Sequence, residues 1–101
     1  MSEDALSRAA RINQLLTRWQ RAVAGESSKV PLRVVDMLGA NPFITIKGAA
    51  ERLGVAFTTA QRAIERLEKA DIVRPTSDAR RDRVYCAKTL LDVLEEPARL
   101  R

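Results

Sequence analysis

The stretch LGVAFTTAQRAIERLEKADIV, Leu53 to Val73, constrains the fold most, because a glycine turn runs directly into apolar residues at helical spacing. Ala60, Ala63, Ile64 and Leu67 recur at steps of three and four, which traces one face of a helix from Phe57 to about Ala70, ended by Asp71. Thr58, Gln61, Arg62, Glu65, Arg66 and Lys69 fall on its outer faces. Gly54 sits where a helix is stopped by a left-handed residue. The segment before it, Ile46 to Leu53, therefore reads as a separate short helix with Thr45 as its N-cap and Ala49, Ala50 and Leu53 facing inward.

The remaining elements follow from the same signals. Glu3 to Ala24 carries Leu6, Ala9, Ile12, Leu16, Trp19 and Val23 on one face, with Ser2 placed to cap it, Glu3 and Asp4 at its positive end and Gly25 as its stop. The polar run GESSK is a linker, and Pro31 suits the first turn of a second helix, Val30 to Gly39, with Leu32, Val35 and Leu38 inward. Gly39 and Pro42, in GANP, end that helix, and Phe43 and Ile44 form a brief extended piece. DIVRPT and RVYCA are strand candidates across the turn-rich link SDARRD, and Pro75 must end its strand or lie at an edge. Lys88 to Glu96 is a last amphipathic helix with Leu90, Leu91 and Leu94, stopped by Pro97.

With 101 residues and only 4% aromatics, one core built mainly from Leu, Ile, Val and Ala is expected. The predicted fold is mainly α (α+β): a winged helix-turn-helix with a long N-terminal helix over 1–24 and the winged domain proper over 25–101. In such units two short helices cross over a tight turn, and the second lies in the major groove of DNA. On this chain the expected DNA contacts are Thr58, Thr59, Gln61, Arg62 and Arg66 on that helix and Arg80, Arg81 and Arg83 at the hairpin tip. Gln pairs with adenine and Arg with guanine through two parallel hydrogen bonds, whereas the tip arginines would anchor on phosphate or the minor groove. The net charge of +5 suits a polyanionic partner.

A competing reading gives the same residues a structural part in a protein-interaction or dimerisation module. The helix from Phe57 to Asp71 sets Arg62, Arg66 and Lys69 against Glu65, Glu68 and Asp71, a balance of zero, whereas Arg74 to Lys88 is more basic. The stripe from Leu6 to Val23 is longer than a three-helix core needs, which makes a homodimer through the N-terminal helix a further expectation. Trp19 reads as core more readily than as a seam, and Cys86 as a small buried hydrophobe.

Other functions find little support. The chain has no histidine and one cysteine, so the commonest metal ligand and general base are absent and no intrachain disulfide can form. No clustered nucleophile and base and no phosphate loop point to an enzyme, and no cofactor is expected. The opening MSEDALSRAARINQ lacks the apolar core of a signal peptide, and no apolar run approaches the roughly 20 residues needed to span a bilayer, so the expected location is cytoplasmic.

TRWQ, then ANPFITIKGAAERLGVAFTTAQRAIERLEKADIV, then RRDRVYCAKTLLDVLEE together resemble the C-terminal winged-helix domain that follows the catalytic core in many bacterial Fic-family proteins. The resemblance covers Leu15 to Glu96. Fic proteins transfer AMP to a hydroxyl of a target protein with a catalytic His and a Gly-Asn-Gly-Arg loop. This chain has neither, so the resemblance implies an accessory regulatory domain, with a Fic catalytic domain as partner, and not the activity. Two positions depart from the pattern: Ala56 stands where the family usually has a capping Ser, and Gly48 occupies the first turn of a short helix.

Overall fold

Eight elements follow one another in a computed structural model that describes residues 3–25, 27–77 and 81–95, with side chains from Arg8 onward. They are α1 (Glu3–Val23), α2 (Val30–Ala40), β1 (Phe43–Thr45), α3 (Ile46–Leu53), α4 (Phe57–Lys69), β2 (Arg74–Pro75), β3 (Val84–Cys86) and α5 (Lys88–Glu95). This order is the predicted one: a mostly helical chain with a small antiparallel sheet, consistent with a winged helix-turn-helix. The expectations for Ser2, the Leu6 side chain, Arg80, Glu96 and Pro97 lie outside the described residues.

Helix α4 is the centre of the core. Ala60, Ala63, Ile64 and Leu67 are buried against α3 and α2, where Ala49, Val34, Val35 and Leu38 are buried in turn. The alanines let the backbones approach, and the branched residues fill the space between them. Helix α1 lies across α2 and α5 and adds Leu15, Trp19 and Val23 to the same cluster, with Ile12 and Leu16 half-buried beside it. Trp19, only 6% exposed, is core. The stripe from Ile12 to Val23 is thus covered within the chain. Ala9 is exposed, and Leu15, absent from the expected stripe, is buried in its place.

The sheet has the order β1-β3-β2. Ile44 pairs with Tyr85 and Thr45 with Val84, while Pro75 opposes Tyr85 at the end of the edge strand β2. That position leaves the missing N–H of proline facing away from any ladder. Both hairpin strands are shorter than DIVRPT and RVYCA suggested, because Ile72 and Val73 turn inward as core residues before β2 begins. Cys86 is buried on β3, and loss of hydration pushes its thiol pKa up, as for an inert apolar side chain.

Backbone geometry at three helix ends explains the local sequence. Gly54 takes φ 66°, ψ 37°, and the Val55 N–H donates to the Ala50 carbonyl at 3.0 Å, which closes α3. Thr45 caps the other end, its hydroxyl accepting from the Gly48 N–H at 3.0 Å. A Cβ on Gly48 would stand 2.9 Å from that hydroxyl oxygen, which accounts for a glycine in the first turn. Gly39, read as a breaker, instead lies inside α2, which runs on to Ala40; its Cβ would come within 3.1 Å of Leu16, so glycine there serves the α1–α2 contact.

Helix α4 ends in a Schellman arrangement: the Asp71 N–H donates to the Glu68 carbonyl and the Ile72 N–H to the Leu67 carbonyl, both at 2.9 Å. Asp71 adopts φ 63° there, the position at which glycine is favoured, and its carboxylate accepts from Arg74 at 3.0 Å on the surface. Urea unfolding should therefore show Gly54→Ala losing about 1 kcal/mol and Asp71→Gly gaining up to ~1 kcal/mol, since an exposed ion pair contributes less than a left-handed Cβ costs. A loss on Asp71→Gly would mean that the pair with Arg74 outweighs the backbone strain.

Candidate nucleic-acid interface

With its apolar stripe buried, α4 presents the remainder of its circumference outward, and its polar residues divide into three groups. Thr58, Arg62, Glu65, Glu68 and Lys69 are exposed, Glu65 at the edge facing the hairpin and Arg62 at the edge facing the α1–α2 linker. Gln61 leans to one side, toward the β2–β3 hairpin, and Thr59 and Arg66 lean to the other, toward the α1–α2 linker.

The hairpin side forms a groove of about 590 Å³. Its α4 wall is Phe57, Gln61 and Glu65, spaced one helical turn apart. The opposite wall is Arg81, Asp82 and Arg83, with Tyr85 behind them, and the end is closed by Thr45, Ile46 and Lys47 where β1 passes into α3. Arg81 and Lys47 are exposed and Arg83 is half-buried. Gln61 donates through Nε2 to Glu65 at 3.4 Å, a long surface contact that a better partner can replace. Asp82 turns the wing with φ 50°.

The linker side forms a smaller cleft of about 290 Å³, with Thr59, Arg62 and Arg66 facing Ser27, Ser28 and Pro31. Arg66 donates from Nη2 to the Ala22 carbonyl at 3.2 Å. That carbonyl belongs to the last turn of α1, where the helix dipole is negative, so Arg66 ties α4 to α1.

The residues expected from sequence therefore separate. Gln61, Arg81 and Arg83 come together in one groove. Thr59, Arg62 and Arg66 line the other cleft, and Thr58 stands exposed at the α4 start. Arg80 lies outside the described residues. Sequence reasoning missed Lys47 and Phe57. The spacing of Phe57 to Ala60, Ile64 and Leu67 places it in register with the buried stripe, yet it is 54% exposed. Lys47 carried no signal beyond its charge and its place just after a capping threonine.

Residues 28–74 match the family model for winged helix-turn-helix DNA-binding domains. The match takes in α2, β1, α3 and α4 and stops at the first residue of the wing. No curated protein matches the chain. Within the matched winged helix-turn-helix, α4 is the second helix of the helix-turn-helix, so the groove just described runs between that helix and the wing. Among the described residues no group of three or more His, Cys, Asp or Glu could hold a metal ion, and no helix is long and apolar enough to cross a membrane.

The N-cap of α4 is Ala56, which has extended dihedrals but offers no side-chain cap to the first-turn amides. Ala56→Ser should raise stability by about 1 kcal/mol in urea or thermal unfolding. No gain would mean that those amides already have partners as good as a serine hydroxyl.

Proposed function

We propose that the chain is a DNA-binding regulatory module that places α4 in the major groove of duplex DNA and the β2–β3 wing along the flanking backbone. The observation that carries this reading is the single groove joining Gln61 on α4 to Arg81 and Arg83 on the wing, with Lys47 at its end. Gln61 and Arg62 have the donor patterns that read base edges, and Arg81, Arg83 and Lys47 supply the phosphate contacts that fix register. Such a module acts on transcription by occupying DNA and does no chemistry of its own, in keeping with a cytoplasmic setting. The sequence resemblance supports a finer proposal, that it serves as the accessory domain of a Fic-family protein. An adjoining Fic core in the coding sequence upstream of Met1 would support that assignment, and an unrelated upstream reading frame would remove it. The alternative of a docking or dimerisation module draws nothing from α1, whose apolar residues from Ile12 to Val23 pack inside the chain.

Fluorescence anisotropy with labelled duplex DNA at two salt concentrations tests the main reading. Binding should weaken steeply with salt, and Arg81→Ala should reduce affinity several-fold while lowering the salt slope by about 1, as expected for one lost phosphate contact. Arg62→Ala should weaken binding as well. Asp82→Asn keeps a residue that tolerates the left-handed turn and removes a carboxylate from the cationic wall, so it should raise affinity by roughly two- to fivefold at low salt. No binding at about 10 μM protein in low salt, where nonspecific association is strongest, would overturn the reading.

A further inference from the structure

We infer that Phe57 is a specificity residue that reads the C5-methyl group of a thymine in the major groove. This rests on the DNA-reading role proposed above and assigns one apolar contact within it.

Phe57 is the first residue of α4, and in helix-turn-helix units the N-terminal residues of the second helix meet the base edges. Its ring lines the groove between α4 and the wing, more than half exposed, and takes no part in the hydrophobic core that absorbs Ile46, Leu53 and Val55 around it. A side chain in register with the buried stripe but held out of it forgoes the stabilisation that burial would bring. Ile46 and Tyr85 line the groove too but are partly or fully buried, so Phe57 is its exposed large apolar side chain, beside Lys47, Gln61, Glu65 and Arg81.

The major groove has one matching feature. Among the four bases only thymine presents a methyl group there, and contact with an apolar side chain such as phenylalanine is how that methyl is recognised. Gln61 lies four residues further along the same face, roughly 6 Å along the helix axis and close to two base steps of about 3.4 Å. Glutamine pairs with the N6 and N7 edge of adenine. Phe57 and Gln61 together fit a short A·T-containing step, with the methyl at the N-terminal end of α4 and the adenine edge one turn further on.

The test uses the full chain. A duplex is selected from a randomised pool, and each thymine in it is replaced in turn by uracil, which keeps pairing and removes only the methyl. Wild-type protein should lose about fourfold in affinity at one or two positions, the size expected for one buried methyl. Phe57→Ala should bind the thymine and uracil duplexes equally, and Phe57→Leu should retain part of the preference. The exposed position lets both variants keep the wild-type fold, checked by circular dichroism and the urea midpoint. An unchanged thymine-to-uracil ratio in Phe57→Ala overturns the inference. So does a wild-type protein that binds duplex in a salt-dependent way yet responds to uracil nowhere, a result that leaves the DNA-binding reading intact. If no duplex is retained even at low salt, both fall together.

Discussion

The left-handed turn at Gly54 is the constraint on which the remaining architecture depends. It ends α3 after eight residues and returns the chain so that α4 crosses it with only Val55 and Ala56 left to place. The crossing is close because the facing residues are small: Ala49 on α3, with Ala60 and Ala63 on α4, all buried. Larger side chains at those positions would separate the helices and tilt α4 out of line with the wing. The same geometry decides what is displayed. Once Ile64 and Leu67 are fixed inward, Thr58, Arg62 and Lys69 have no direction left but outward, and Gln61 is turned toward the hairpin.

Helix α1 lies outside the matched segment but is joined to it physically. Leu15, Trp19 and Val23 share a core with α2, α4 and α5, Gln20 donates to Asp36 across the α1–α2 seam at 2.7 Å, and Arg66 reaches back to the Ala22 carbonyl. An arginine of α4 is therefore engaged by the N-terminal helix.

How much of this was legible from sequence varied with the type of signal. Breakers and caps with a local cause were read well: Thr45, Pro31, Gly54 and Asp71 all act where short-range chemistry places them. Signals that depend on a neighbour distant in sequence were misread. Gly39 resembles a terminator until Leu16 is seen to press on it; Gly48 is instead a local case, explained by the Thr45 hydroxyl that its amide meets three residues back. The apolar stripe of α1 was placed on Leu16 when Leu15 is the more deeply buried, because α2 and α5 flank the helix and the covered arc is wider than a single line of residues suggests. For the candidate interface, α4 and the wing were identifiable from element order. Their division into two clefts, and the presence of Phe57 and Lys47 in one of them, were set by tertiary packing that periodicity does not encode.

Charge is distributed unevenly between α4 and the wing. Helix α4 carries Arg62, Arg66 and Lys69 against Glu65 and Glu68, and Arg66 is engaged with α1, so its outer face adds little to the net pull of the domain on a polyanion. Arg81, Arg83 and Lys47 line the groove, so its positive charge comes from the wing and the start of α3. On the proposed DNA-binding reading, a nearly neutral α4 would discriminate by hydrogen-bond pattern and shape more than by field. On the same reading, the few cations of the groove would make docking salt-sensitive. Glu65 accepts from Gln61 at 3.4 Å, which holds the amide on the groove side of α4 in a weak surface bond.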